Sequence, residues 1–192
     1  MSIQCLLGMA CDNFCILAAD MSNTQSIIIK DKITEASNSM MIGVVGDAGD
    51  RVQFSQFMAK NIQLYSVRNQ YTLSTTAAVN FTRKNLADAL RSRTPYLINL
   101  LIGGYDDEDK GQLFFLDFLA TCVKVPYAAH GLSEIFISDL TESEAYEIIK
   151  VCVNEVHQRF LLNLTNFQVK VADKNGIRSL PVISPSSLCS KT

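Results

Sequence analysis

The sequence lacks an excess of charge of either sign. Its 192 residues include 17 Lys and Arg against 19 Asp and Glu, so the net charge is −2 and the pI is near 5.7. Nucleic-acid-binding domains usually carry a strongly basic patch, and this composition therefore indicates no nucleic-acid partner. The chain opens with no basic, signal-type leader, and no apolar run approaches the length of a membrane span. We expect a soluble protein of the cytoplasm and nucleus, without a membrane partner.

Metal-ligating residues are also few. The six cysteines form no Cys-x-x-Cys pair, and only His130 and His157 are available as further ligands. Zinc sites combine such residues at short, regular spacings, so we expect no metal site and no cofactor. The cysteines lie mostly in apolar segments and are predicted to be reduced and buried, as in cytosolic or nuclear proteins.

The first twenty residues carry the most informative pattern. Two apolar runs, residues 3–10 and 14–19, are separated by Asp12 and Asn13, residue types that tolerate the left-handed backbone of a tight hairpin turn. Because both runs are almost continuously apolar, they predict a β-hairpin covered on both faces. The start of the chain is therefore predicted to lie in the core.

Strands and helices follow in a clear order. The strands predicted from short apolar and β-branched runs lie at residues 26–29, 33–36, 40–45, 97–103, 113–118, 121–125 and 167–172, the last of these being the final strand. Apolar residues at three- and four-residue steps predict one helix ending near Arg68 and another from Ser74 to Arg91. A third helix begins at the capping box Thr141-Glu-Ser-Glu144. This order fits two stacked sheets flanked by helices.

Two short motifs suggest ligands but lack the necessary spacing. Residues 46–50 join a strand to a helix without the pattern of a phosphate-binding loop, so we interpret them as a tight turn with acidic residues at a helix N-terminus. The acidic turn at residues 106–111 lacks the spacing of an EF-hand calcium loop. We interpret it as a solvated hairpin tip.

Length and composition indicate one domain. We predict that it covers residues 1–178, followed by a Ser- and Pro-containing tail over residues 179–192 that extends away from it. Apolar residues make up 48% of the chain and charged residues 19%, a somewhat apolar balance. A well-packed α/β core or apolar surface reserved for permanent partners would each explain it.

Several motifs together resemble one protein family. They are Gly46-Asp-Ala-Gly-Asp-Arg-Val-Gln-Phe54, Asn61-Ile-Gln-Leu-Tyr65, Arg91-Ser-Arg-Thr-Pro-Tyr96, Pro126-Tyr-Ala-Ala-His-Gly131 and Asp173-Lys-Asn-Gly-Ile-Arg178. The chain resembles the β subunits of the proteasome core particle, most of all the type-2 group at the fourth position of the eukaryotic β ring. The resemblance implies an α+β fold, the four-layer αββα sandwich of N-terminal-nucleophile hydrolases. Segments 20–40 and 131–141 are shorter than this family leads us to expect.

Active members of this family use an exposed N-terminal threonine, whose own amine accepts the hydroxyl proton. A lysine and an aspartate set the electrostatics, and a backbone N–H after a glycine stabilises the oxyanion. The resemblance assigns these positions to Lys32, Asp20 and Gly46. The matching strand begins near Gln4, no threonine occurs before Thr24, and we expect no propeptide. Three further positions, where active subunits carry serine, aspartate and serine, hold Leu132, Phe160 and Asn163.

The resemblance therefore implies a non-catalytic structural subunit in which Asp20, Lys32 and Gly46 are vestigial. Its implied partners are two neighbours in the β ring, the opposite β ring and the α ring of the 20S core particle, which serves ubiquitin-dependent protein degradation. An alternative is an N-terminal-nucleophile hydrolase in which cleavage before Cys5 exposes a thiol beside its own amine. A stand-alone α/β ligand-binding protein is a third hypothesis.

Overall fold

The structure is a computed structural model of the chain. It describes residues 4–21, 31–130, 141–159 and 166–184, with residues 157–159 described by their backbone alone. The strands in these segments are β1 Leu6–Cys11, β2 Phe14–Asp20, β3 Ile33–Glu35, β4 Met40–Gly46, β5 Ile98–Asp106, β6 Lys110–Leu116, β7 Cys122–Lys124, β8 Tyr127–His130, β9 Phe167–Asp173 and β10 Gly176–Ile183. The helices are α1 Ala48–Asn69, α2 Thr75–Leu90 and α3 Glu142–Arg159.

Two antiparallel sheets stack between helices. One sheet has the strand order β10-β9-β2-β1-β8 and the other β3-β4-β5-β6-β7. Residues such as Leu17, Met41 and Leu101 fill the space between the sheets. Helices α1 and α2 cover the outer face of the second sheet, and α3 covers the outer face of the first. The predicted αββα sandwich is confirmed.

The hairpin at the start of the chain forms as predicted. Strands β1 and β2 pair from Leu6 opposite Ala19 to Cys11 opposite Phe14, around a turn at Asp12 and Asn13. All residues of β2 are buried, because one face packs towards α3 and the other towards the second sheet. The continuous apolar run reflects these two covered faces.

Local capping interactions fix the helix ends. The side chain of Asp47 accepts hydrogen bonds from the N–H groups of Gly49 and Asp50 at the start of α1, and Ser74 caps α2 as predicted. At the start of α3, Glu144 Oε2 accepts from the N–H of Thr141 at 2.8 Å. The predicted capping box is thus confirmed.

The predicted end of the domain is wrong. Strand β9 is not the final strand, because the chain turns at Gly176 and returns as β10, which pairs with β9 along the sheet edge. Residues 179–183 therefore belong to the sheet and not to a tail. The pairing register shifts between Leu180 and Ile183, around Pro181. A proline at a sheet edge costs no ladder hydrogen bond, and it hid this strand from the sequence pattern.

Other boundaries differ in smaller ways. Strand β8, over Tyr127–His130, was not predicted as a strand. The acidic turn is shorter than predicted, because β5 continues to Asp106 and β6 begins at Lys110. The strand predicted at 26–29 lies outside the described residues. Of the described cysteines, Cys5, Cys15 and Cys152 are buried as predicted, whereas Cys11 and Cys122 are half-buried. None of the described helices combines the length and apolarity that a membrane crossing needs.

Candidate functional site

A buried ion pair lies at the open end of the β1–β2 hairpin. Both carboxylate oxygens of Asp20 accept hydrogen bonds from Lys32 Nζ, each at 2.7 Å. Asp20 is 1% and Lys32 3% exposed. Asp20 Oδ1 also accepts from the backbone N–H of Cys5 at 2.8 Å. The carboxylate therefore joins the first residues of the hairpin to a cation from the segment that leads into the second sheet.

Backbone pairing places the two charges. Asp20 is the last residue of β2, and its N–H donates to the carbonyl of Cys5 at 3.0 Å. Lys32 directly precedes β3, and its carbonyl accepts from the N–H of Val44 at 2.9 Å. Burial lowers the pKa of the Lys32 ammonium, while the attraction of Asp20 acts in the opposite direction. Both partners are thus enclosed in the interior, where each ion depends on the other to offset its loss of hydration.

Gly46 forms the junction between β4 and α1. Its φ angle is +137°, a conformation that side-chain-bearing residues rarely adopt. A Cβ atom at this position would overlap the carbonyl oxygen of Leu97. The glycine is therefore required by the sharp exit from the strand.

The side-chain amide of Gln4 bonds to both backbone groups of Gly46. Gln4 Oε1 accepts from the Gly46 N–H at 2.9 Å, and Gln4 Nε2 donates to the Gly46 carbonyl at 3.0 Å. Gln4 is 9% exposed. The N–H of the glycine assigned to the oxyanion loop is thus engaged by a carboxamide of the chain itself. A primary amide that matches both backbone groups closes this position to an incoming carbonyl oxygen.

Arg51 adds a second buried cation beside the ion pair. It lies in the first turn of α1 and is 2% exposed. Burial lowers the pKa of its guanidinium, and the carboxylates of Asp20 and Asp47 counteract that shift. The same guanidinium contributes to lowering the pKa of Lys32. Arg51, Asp20 and Lys32 therefore form one electrostatic cluster.

The side chain of Cys5, the alternative nucleophile, packs on the α3 side of the first sheet. Its residue is 0% exposed and belongs to the apolar cluster between the first sheet and α3, with Leu7, Phe167 and Val169 among its members. The backbone of Cys5 reaches Asp20, whereas its side chain contributes to the core.

The structure brings together the three positions that the sequence assigned to a vestigial site. Asp20 and Lys32 form the ion pair, and Gly46 lies at the neighbouring strand end, tied to the hairpin by Gln4. The other three assigned positions, Leu132, Phe160 and Asn163, lie outside the described residues. No group of residues suited to hold a metal ion occurs within the described segments.

Sequence reasoning missed the roles of Gln4 and Arg51. Arg51 precedes Phe54 by three residues and Met58 by seven, so it lies on the buried face of α1; this spacing was a usable signal. Gln4 is the last polar residue before an apolar run, which marks it as buried with the strand. Its bonding to a glycine 42 positions away has no local signal.

Comparisons with known proteins agree with this architecture. A family model described as proteasome subunit matches residues 4–172. The chain is 38% identical to proteasome subunit beta type-2-A of Arabidopsis thaliana, over 92% of each chain. It is 38% identical to proteasome subunit beta type-4 of Saccharomyces cerevisiae, over 91% of this chain and 96% of the relative. It is 35% identical to proteasome subunit beta type-2 of Dictyostelium discoideum, over 95% of this chain and the whole of the relative.

The match covers the three helices, the ion-pair site and every strand of both sheets up to Ala172, so that β10 lies beyond it. The relatives named above are β subunits of types 2 and 4, and each is covered along almost its full length. The chain therefore belongs to the proteasome subunit family, among its β subunits.

Proposed function

We propose that this chain is a non-catalytic structural β subunit of the 20S proteasome core particle. The observation that carries the proposal is the Gln4 amide on Gly46. A family member that acts by an N-terminal nucleophile needs a hydroxyl or thiol near this strand end and an open N–H for the oxyanion. Here a glutamine lies at the strand end and engages the N–H of Gly46. The next N–H, that of Asp47, donates to the carbonyl of Leu97 at 3.1 Å. The retained Asp20–Lys32 pair serves to hold the hairpin on the second sheet.

Exposed apolar side chains support a role in assembly. On α1, Phe57 is 49% and Val67 70% exposed, and on the second-sheet side Leu97 is 62% and Leu119 58% exposed. Obligate interfaces are richer in apolar side chains than free surfaces. These residues provide surface for permanent neighbours, and we propose that the neighbours are two β subunits of the same ring, the opposite β ring and the α ring. The proposed location is the cytoplasm and nucleus.

Co-purification tests the proposal. A tagged full-length chain expressed in its own cells should elute from a sizing column with a particle far larger than 21.3 kDa, and that fraction should hydrolyse peptides. A chain that elutes alone as a folded monomer would contradict assembly and favour the stand-alone binding protein.

The alternative hydrolase has one geometric observation in its favour. The backbone nitrogen of Cys5 lies 2.8 Å from Asp20 Oδ1, so cleavage before Cys5 would place a free amine on a carboxylate beside Lys32. The burial of the Cys5 side chain in the apolar cluster argues against this. A mature chain that begins at Cys5 would support the alternative.

A further inference from the structure

Arg51 carries a buried charge for which the described residues supply no hydrogen-bond acceptor. Its Nε, Nη1 and Nη2 atoms all lack a partner among the residues that the structure describes, although only 2% of the residue is exposed. A guanidinium presents five N–H donors and cannot be discharged at ordinary pH. Burying such an ion without a partner is strongly unfavourable. The position therefore calls for a group that accepts hydrogen bonds and carries negative charge.

The two carboxylates near Arg51, those of Asp20 and Asp47, accept hydrogen bonds from other groups. Both oxygens of Asp20 accept from Lys32 Nζ at 2.7 Å, and Oδ1 also accepts from the N–H of Cys5. Asp47 is exposed, and its Oδ1 accepts from N–H groups in the first turn of α1. Within the described segments, Asp20 supplies the one buried carboxylate beside two buried cations, Lys32 and Arg51.

We propose that Arg51, with Lys32 behind it, forms a binding site for a small monovalent anion from solution, a halide or a carboxylate of formate size. Both cations are almost fully enclosed, at 2% and 3% exposure, which restricts the ligand to a small one. The N-terminal turn of α1, where Arg51 lies, adds the positive end of a helix dipole. The anion completes the charge balance of the cluster and couples the first turn of α1 to the hairpin.

The electrostatic environment of the two cations favours a bound anion. Burial lowers the pKa of Arg51 and of Lys32, and the proximity of Arg51 lowers the pKa of Lys32 further. A bound anion would favour the charged forms of both groups. The anion therefore stabilises the arrangement that the fold already contains.

Crystals grown with bromide in place of chloride test the site directly. We expect an anomalous-difference peak within hydrogen-bonding distance of the Arg51 guanidinium, in whichever assembly the full chain purifies. Arg51→Met should abolish that peak. Arg83→Met is the matched control, because Arg83 Nε already donates to the carbonyl of Ala120 at 3.2 Å, and this variant should keep the peak.

A solution measurement covers the case in which Arg51→Met fails to fold. At constant ionic strength, replacing gluconate with chloride should raise the unfolding temperature of the wild-type and Arg83→Met proteins, since a ligand of the folded state stabilises it. The conservative variant Arg51→Lys should show a smaller rise. Ordered water alone at the guanidinium, a carboxylate side chain of a neighbouring chain in that place, or an unfolding temperature indifferent to the anion would overturn the proposal.

Discussion

The two ends of the β1–β2 hairpin carry charges in opposite settings. At the open end, Asp20 and Lys32 pair at 2.7 Å, with side chains that are 0% and 1% exposed. At the turn end, the guanidinium of Arg178 bonds to Glu142 and lies 3.4 Å from Asp173 Oδ2, with its side chain 45% exposed. Glu142 and Asp173 line an open groove of about 650 Å³ beside the hairpin turn.

This difference separates a buried charge cluster from a surface ion pair. Both ends hold ion pairs, so the presence of charge does not mark the site; its enclosure does. A buried pair is costly to break, because the remaining ion keeps its desolvation penalty. An exposed pair is screened by water and salt and contributes little. Substitutions at the two ends should therefore differ strongly in effect.

The largest effect is expected at the buried pair. Lys32→Met leaves the Asp20 carboxylate enclosed without its cation, and we expect it to lower the free energy of unfolding by about 3–5 kcal/mol in urea denaturation. Lys32→Met combined with Asp20→Asn removes both charges and should recover much of this loss. A double variant as unstable as the single one would show that the charges are not coupled.

A large effect is also expected at the strand exit. Gly46→Ala must adopt a φ angle near +137° and place a Cβ on the Leu97 carbonyl. The backbone strain alone should cost about 1–3 kcal/mol, and the overlap adds to it. Gly49→Ala, three residues away inside α1, is the control and should be neutral or stabilising. Equal losses in the two variants, measured by urea denaturation, would contradict the special role of Gly46.

The hydrogen bonds from the Gln4 amide to Gly46, which join the hairpin to the second sheet, should contribute less to the free energy of unfolding. Gln4→Ala leaves the N–H and carbonyl of Gly46 without the partner seen here, and we expect a loss of about 1–3 kcal/mol. Gln4→Glu keeps the acceptor for the Gly46 N–H but removes the donor to its carbonyl, so its stability should be lower than that of the wild type. Denaturation midpoints compare the three proteins. An unchanged midpoint for Gln4→Ala would refute the bridge.

A smaller, pH-dependent effect is expected at His130, which pairs opposite Leu6 at the open end. Its Nε2–H donates to the Leu100 carbonyl at 2.9 Å, and burial lowers its pKa below 6.5. Between that lowered pKa and 6.5 only the unfolded chain takes up the proton, so stability falls as the pH drops below 6.5. The fall is at most about 1.4 kcal/mol for each pH unit, and it stops growing below the folded pKa.

His130→Gln should flatten this acid dependence in denaturation experiments between pH 5 and 7. His157→Gln is the matched control, because these two are the only histidines of the chain. If the stability of His130→Gln still falls with decreasing pH as steeply as that of the wild type, other groups cause the pH dependence.

The smallest effect is expected at the turn end. Arg178→Ala removes an exposed ion pair, and we expect it to change the free energy of unfolding by about 0–1 kcal/mol, less at high salt. A loss as large as that of Lys32→Met would remove the contrast between the two ends of the hairpin.

The sequence predicted the fold well where residues on one face repeat regularly. The hairpin, β4, α1, α2 and the Thr141 capping box all follow from local patterns, which depend on neighbours within one or two turns. Strand β10 escaped prediction because Pro181 and the exposed edge weaken its alternation. Edge strands bury only part of their surface, so their pattern is faint.

The resemblance predicted which positions form the site, but the sequence did not predict that Gln4 closes it. Asp20, Lys32 and Gly46 could be placed through the resemblance, and the structure brings them together. The bridge from Gln4 and the burial of the Arg51 charge depend on contacts between residues far apart in the chain. No local rule specifies such contacts, since they form only when the two sheets stack.

This subunit keeps the αββα architecture of its family, while Gln4 closes its glycine loop. Intact-mass spectrometry of the subunit from the purified particle tests it most directly, before and after treatment with a peptide electrophile that captures an N-terminal amine together with its hydroxyl or thiol. We expect a mass that still includes Gln4 and no adduct on this chain, whatever happens to its neighbours. A mass beginning at Cys5 that gains the electrophile would contradict the account.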